Sequence, residues 1–406
     1  MSQSLQVDMT VLFRTRKPRG QGSVLARVRE ACALEYTVIF FAEAPWDWVH
    51  IGPLADRVER LGKRVLRLTA DPEDPVITTR NGLFIGGLLS ATRLFLSLPR
   101  SVVVMTMTDL DLHHLKRSVN DVHYVYVFHS LVSTHRAYRP KAFDAYDSIL
   151  CSGPHHFAEL TEVARIRDIR PQKLYETGYC RLDDFSLESD QAAEASADNI
   201  RVLLAPTWGD SSLIEFNLEQ IIQDLLDHSI EVVLRFHPMS LRHQPNLKSQ
   251  FQRRFENDKM FAIDDRIEST EAFLKSDIVL SEWSGAAHEF SLGLLRPAIF
   301  VNTPKKSNID SHSLLNMSCF EDSVRGELGA TIELSDTGEI PDIVTKVGTA
   351  AAPWLKLETG IRAIGMAGTQ TASARGISSL PYNPASIGFI ENQEVFLNKT
   401  NYLAGI

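Results

Sequence analysis

The sequence predicts an α/β protein built from two doubly wound parallel sheets that face each other across a cleft, and three observations carry that prediction. Short apolar runs alternate with amphipathic stretches in both halves of the chain, the pattern of repeated strand-helix units. The polar stretch SLESDQAAEASAD, residues 186–198, separates the two alternating series. Between residues 202 and 304, four polar clusters each follow an apolar run, which puts them at the C-terminal ends of parallel strands, the edge where open sheets of this kind bind ligands.

In the first series the runs Met9–Phe13, Tyr36–Phe41, Val65–Leu68, Ser101–Met105, Val122–Phe128 and Ser148–Cys151 predict strands. Gly22–Cys32, Ile51–Leu61 and Phe84–Leu96 carry apolar residues at helical spacing and predict the helices between them. In the second series Val202–Ala205, Val232–Leu234, Ile278–Leu280 and Ala298–Val301 predict strands. The expected organisation is an N-terminal Rossmann-like domain on the acceptor side at 1–186, a linker at 187–199, a nucleotide-binding domain at 200–350, and a loop-rich tail at 351–406 that packs on both. Two such domains around a cleft form the GT-B arrangement of glycosyltransferases and their relatives.

The bulk numbers agree with a globular two-domain chain: 406 residues, 44% hydrophobic and 23% charged. A net charge of -9 argues against a nucleic-acid partner, whose footprint is a basic surface. Cys32, Cys151, Cys180 and Cys319 are scattered without CxxC spacing, so neither a disulfide framework nor a metal site is expected, and a reducing cytoplasm fits. Asp8 and Arg14 break any apolar run at the N-terminus, so no signal peptide is expected. The longest apolar tract, Gly82–Thr92, falls short of the roughly 20 residues a membrane span needs. With Arg80, Arg93 and Arg100 around it, a helix there either packs in the core with its arginines snorkelling or lies on a membrane surface. No GxSxG elbow is present, and Gly20-Gln21-Gly22 lacks the third glycine of a dinucleotide fingerprint.

Four clusters carry candidate chemistry. His129 ends the run Tyr124–Phe128 and is followed by Ser130; an imidazole there suits a general base, because its ordinary pKa near 6.5 leaves it able to accept a proton at neutral pH. His135, further on, reads as a packing or capping residue. In RFHP, Arg235 and His237 alternate with Phe236 and share one side, and Pro238 holds His237 extended at the sheet edge, which suits a diphosphate clamp with His237 protonated, the alternative being an internal salt bridge and a turn. In SEWSGAAHEF, Ser284 and Gly285 open a helix whose N-terminus favours an anion, with Glu289, or its rival His288, placed to reach a ribose hydroxyl. In APTWGDSS, Thr207, Asp210 and Ser211 either contact a base or phosphate or cap the next helix, and Trp208 reads as a packing residue at the cleft.

The order and spacing of APTW, RFHP, SEWS with its following EF, and RPAIF resemble the CDP-glycerol glycerophosphotransferase family, which builds teichoic acids and related glycerophosphate polymers. FHS at Phe128–Ser130, SGPHHFAEL and GYCRLDDF extend the resemblance over residues 120–304, with Ser130, Gly209, Glu282-Trp283 and Cys180 standing where the family has other residues. The resemblance implies a GT-B fold, cytidine nucleotide binding in the C-terminal half, no metal or cofactor requirement, and catalysis by His129 and His237. The implied reaction moves a glycerophosphate-type unit from CDP-glycerol, or a related cytidine nucleotide, to a hydroxyl of a cell-envelope polysaccharide or lipid-linked acceptor. Such an acceptor implies a cytoplasmic protein with peripheral contact at the inner face of the membrane. Two alternatives stand beside it: a GT-B glycosyltransferase using a CMP-, CDP- or UDP-sugar, and a non-catalytic nucleotide-binding or scaffold subunit.

Overall fold

A computed structural model describes residues 24–34, 37–113, 115–191, 199–266, 269–305 and 315–349. The expected strand at Met9–Phe13 and the tail at 351–406 lie outside the described residues.

In chain order, α1 (Val24–Leu34), β1 (Val38–Ala42), α2 (Trp48–Arg60), β2 (Val65–Thr69), β3 (Gly82–Phe84), α3 (Leu88–Leu96), β4 (Ser101–Met105), β5 (Val122–Val127), α4 (Thr134–Ala137), β6 (Ser148–Cys151), α5 (Pro154–Ile166) and β7 (Lys173–Glu176) build the first lobe. Its seven strands are all parallel in the order β3-β2-β1-β4-β5-β6-β7. Helix α6 (Cys180–Gln191) then runs into the stretch expected as linker. The second lobe follows as β8 (Arg201–Leu204), α7 (Leu218–Asp227), β9 (Glu231–Leu234), α8 (Pro238–His243), α9 (Leu247–Arg254), β10 (Phe261–Ile263), α10 (Glu271–Leu274), β11 (Ile278–Ser281), α11 (Gly285–Leu294), β12 (Ala298–Asn302), α12 (Phe320–Leu328), β13 (Gly329–Glu333) and α13 (Ile340–Thr349). Its sheet is also parallel, in the order β10-β9-β8-β11-β12-β13.

Both sheets reverse direction of winding beside their first strand, between β1 and β4 and between β8 and β11, and such switch points open a crevice at the C-terminal strand ends. The strands read as unbroken apolar runs because both faces are covered. In β1, Ile39 and Phe41 enter one core while Phe40 and Ala42 enter the other. In the second sheet Leu204, Leu234 and Leu280 face one core, and Leu203, Val279 and Phe300 the opposite one. That second core is completed by Tyr179, Leu182 and Phe185 from the α6 region. Gly293 on α11 lets α6 approach closely, since a β-carbon there would sit 2.8 Å from Phe185. The segment read ambiguously at Gly82–Pro99 is β3 and α3; Ala91, Leu94 and Phe95 are in the core, while Leu89 is 72% exposed beside exposed Arg93 and Leu96.

A buried polar joint ties the lobes together behind the cleft. The Phe320 N–H donates to Ser133 Oγ at 2.7 Å, the Ser133 N–H donates to Glu321 at 2.9 Å, and Arg136 grips both oxygens of Asp322 at 3.1 and 2.7 Å. His135 belongs to this joint, its Nε2 3.2 Å from Cys319 Sγ, in keeping with its reading as a packing residue.

Candidate active site

The two switch points meet in a cleft of about 590 Å³. The loop after β1 contributes Glu43, Trp46 and Asp47, α2 contributes His50, the loop after β4 contributes Thr106 and Thr108, and the end of β5 contributes His129. From the other side come Ala205 and Pro206 after β8, Arg235 to Met239 after β9, Phe273 from α10, and Ser284 and Glu289 around the start of α11. Arg181, at the start of α6, lies between the two walls. His129 and His237, expected from opposite lobes, therefore line the same space.

The His129 ring is open to the cleft but closely walled by protein, and burial pushes its pKa below the ordinary histidine value against the opposing pull of Asp47, the Thr106 carbonyl and Glu289. It is thus neutral at pH 7, with one nitrogen carrying a proton and the other a lone pair. Its neighbours fix the ring: Nδ1 lies 3.4 Å from the Tyr126 hydroxyl, and His50 and Tyr138 meet it edge-on at 6.2 and 5.8 Å. Burial, with His129 and Arg181 nearby, holds His50 well below the usual histidine range.

His237 caps α8: its Nδ1 accepts the Met239 N–H at 3.1 Å, and its extended backbone (φ -66°, ψ 139°) is the one a following proline favours. An accepting Nδ1 must be unprotonated, so the ring is neutral with its proton on Nε2. This corrects the expectation of a protonated His237; it offers an N–H dipole instead of a full charge. Trp208 packs on the same turn, 6.1 Å from His237 and stacked on His243 at 6.0 Å.

Arg235 departs furthest from expectation. It lines the cleft, but Nε lies 3.1 Å from Asp264 Oδ2, at ion-pair distance though off the hydrogen-bonding direction, and Nη2 donates to the carbonyls of Arg266 and Ser269. The guanidinium also covers the Phe273 ring at 4.8 Å. It braces the loop after β10 rather than presenting a clamp to a diphosphate. Arg181, which sequence reasoning missed, is the better-placed cation. Its Nε donates to Glu289 at 3.0 Å, and among the described residues its two Nη nitrogens meet no acceptor.

Ser284 caps α11, its Oγ accepting the Ala286 N–H at 3.3 Å. Gly285 serves a different purpose from the one expected: a β-carbon there would sit 2.8 Å from Ser130 Oγ, so the missing side chain makes room for the opposite lobe, not for a phosphate. Ser130 itself accepts the Val132 N–H at 3.3 Å and does not line the cleft. Glu289 does, receiving Tyr179 OH at 2.7 Å on one oxygen and Arg181 on the other. Its rival His288 is buried against Phe300 and Phe320, and burial drops its pKa to about 4.

Thr207, Asp210 and Ser211 are corrections. Thr207 is buried with its N–H on Glu282 at 2.9 Å, Asp210 points to solvent on the exposed turn at Gly209, and the Ser211 carbonyl accepts from Thr303; none of the three lines the cleft. The cap in this loop is Ser212, whose Oγ takes the Ile214 N–H at 3.2 Å. Glu282 organises the whole turn by accepting the N–H groups of both Thr207 and Leu213 at 2.9 Å, while burial raises its pKa to about 7.

Two parallel Rossmann-like sheets with opposed switch points define a fold of the GT-B class. Residues 108–307, which hold His129, Arg181, His237, Ser284 and Glu289, match the family model described as CDP-Glycerol:Poly(glycerophosphate) glycerophosphotransferase. That segment belongs to this family, and the chain is a glycerophosphotransferase-family enzyme through it. Among solved structures, the wall teichoic acid polymerase TagF is similar at 15% identity and a TM-score of 0.51, over 82% of this chain and 88% of that one. A putative UDP-N-acetylglucosamine 2-epimerase from Listeria monocytogenes is similar at 10% identity and a TM-score of 0.54, over 90% and 100%. The UDP-GlcNAc 2-epimerase from Neisseria meningitidis gives 14%, 0.51, 86% and 100%. At these identities the likeness shows the fold. No curated protein sequence matches the chain. Among the described residues no group of three or more His, Cys, Asp or Glu side chains is arranged to hold a metal ion, and no helix is long and apolar enough to cross a membrane.

Proposed function

We propose that the enzyme transfers a glycerophosphate unit from CDP-glycerol to a hydroxyl of a cell-envelope acceptor, with His129 as general base and Arg181, His237 and the α11 N-terminus around the donor phosphates. The observation that carries this reading is the convergence of a neutral imidazole from each lobe on one cleft inside the family-matched segment.

In the proposed step the acceptor O–H gives its proton to His129 and its oxygen attacks the glycerol-bearing phosphorus in line. The bond from that phosphorus to the bridging oxygen breaks, and CMP leaves with the electron pair. Charge spreads over the phosphoryl oxygens in such a transition state, so positioned donors and cations stabilise it. Arg181, paired with Glu289 through Nε, contributes Nη donors that meet no acceptor among the described residues, whereas Arg235 Nη2 is spent on the carbonyls of Arg266 and Ser269. His237 contributes its Nε2–H, and the Ser284-capped terminus of α11 contributes backbone N–H groups and the positive end of the helix dipole. The exposed Leu89 and Leu96 beside Arg93 on α3 support peripheral contact with the cytoplasmic face of a membrane that carries the acceptor.

Thermal unfolding with CDP-glycerol, CDP-ribitol and CMP- or UDP-sugars tests the donor. A true donor at 100 times its dissociation constant adds about 2.7 kcal/mol. Protection by a sugar nucleotide and not by CDP-glycerol would overturn the donor, and nucleotide binding with no CMP release would point to a non-catalytic subunit.

A further inference from the structure

The wall of the cleft built by β1 lies outside the family-matched segment, and it carries chemistry that the donor does not need. Trp46 sits in the single turn Pro45–Asp47 after β1 and is 45% exposed, although it lines a concave site beside His129. The turn is pinned. Asp47 Oδ2 accepts the N–H groups of Glu43 and Ala44 at 2.8 and 3.2 Å, and its Oδ1 accepts the Thr106 hydroxyl at 2.9 Å, which fastens the turn to the end of β4. The indole is therefore held on a rigid support, and among the described residues no ring stacks on it. Glu43 is exposed at its side, its carboxylate meeting no hydrogen-bond donor among the described residues, and the Thr108 hydroxyl lies on the same wall.

A flat, rigid aromatic face next to hydrogen-bond acceptors matches a sugar ring, whose C–H face is apolar and whose rim is made of hydroxyls. A phosphate end would fare poorly there, because Glu43 and Asp47 set two carboxylates on the same wall and like charges facing each other are costly. The α11 terminus lies on the opposite wall and Arg181 between the two, while the Arg242 charge also reaches Glu43.

We propose that Trp46 and Glu43 form the acceptor subsite and that the acceptor ends in an uncharged, hydroxyl-rich saccharide, not in a phosphodiester chain. The role as acceptor rests on the transferase reading above; the saccharide subsite itself is measurable without it.

The test is equilibrium binding to the full chain, without donor, of a neutral alkyl disaccharide and of a glycerol phosphate oligomer of similar length. The wild type should bind the disaccharide in preference. Trp46→Ala should weaken it about 10-fold, with Trp46→Phe recovering most of the loss, which separates a stacking role from damage to the fold. Glu43→Gln should narrow the preference over the oligomer. With CDP-glycerol present, Trp46→Ala should raise the KM for the disaccharide more than it lowers kcat. A wild type that favours the oligomer, that binds no disaccharide, or that binds it no better than Trp46→Ala overturns the proposal. Trp46-dependent disaccharide binding without CMP release from CDP-glycerol would support the subsite and sink the donor assignment instead.

Discussion

Arg235→Ala separates a structural arginine from a ligand-binding one. In the wild type the Arg235 and Asp264 side chains are 10% and 5% exposed, so removing the guanidinium leaves a buried carboxylate with only the more distant Arg266 Nε at 3.7 Å, and the carbonyls of Arg266 and Ser269 without the Arg235 donor. Breaking a buried pair from one side costs about 3–5 kcal/mol. The lower end is expected, because Nε meets Asp264 off the hydrogen-bonding direction. With a urea m-value of about 2–3 kcal/mol/M, the unfolding midpoint should fall by roughly 1–2 M at unchanged slope. Replacing both partners by apolar residues, Arg235→Met with Asp264→Leu, should recover most of that loss, since no uncompensated charge remains. Arg181→Ala should also cost stability, since the Arg181–Glu289 pair is buried to the same degree at 6% and 11% exposure, but unlike Arg235→Ala it should raise the CDP-glycerol dissociation constant about 10- to 100-fold, the worth of a charge-assisted contact of about 1.5–3 kcal/mol. Donor titrations and urea curves on the same two variants decide it. If Arg235→Ala left the midpoint in place and weakened CDP-glycerol as Arg181→Ala does, Arg235 would be a phosphate ligand and the reasoning here would be wrong.

His129→Ala should slow CMP release by roughly 100-fold or more, the ordinary worth of a general base. Burial depresses the His129 pKa, and the neutral base is present above that value and lost as pH falls through it, so the acid limb of kcat/KM should have its midpoint below 6.5; a limb at or above 6.5 counts against the assignment. Glu282→Ala strands the N–H groups of Thr207 and Leu213 and should cost about 1–3 kcal/mol in chemical denaturation, whereas Glu282→Gln keeps an acceptor and should cost much less. Because the folded Glu282 pKa is raised to about 7, its stabilising effect is full below the unfolded value of 4.5 and declines as pH rises through 7; Glu282→Gln should remove that decline. Burial lowers His288 to about 4, so the wild type loses stability as pH falls from 6.5 toward 4 while an uncharged His288→Gln chain does not, and the gap between their unfolding midpoints should narrow across that window.

What the sequence disclosed and what it hid follow from how each residue is held. Strands such as Ser101–Met105 and Ser148–Cys151 were legible to the residue because parallel strands covered on both faces read as near-continuous apolar runs, and the polar residue after each run then had to lie at the sheet edge. That reasoning reaches His129 and His237. It fails for Trp46, Asp47 and His50, which belong to the stretch AEAPWDWVH: the run before it was read as a strand, but nothing local says that this loop, and not another, faces the partner lobe. Arg181 is hidden for a similar reason, as it enters the cleft from a helix that crosses between lobes. The misreading of Arg235 has a sharper cause. In parallel strands β9 and β10, Leu234 stands opposite Ile263, so the residues that follow, Arg235 and Asp264, leave the sheet side by side. The three-residue strand Phe261–Ile263, half-buried at the sheet edge, is too short to announce itself by pattern, and without it the salt-bridge alternative for Arg235 had no partner to name. A missed edge strand thus became a misplaced phosphate ligand. The same error is to be expected wherever a strand-end cation is assigned to substrate before the register of its neighbour is known.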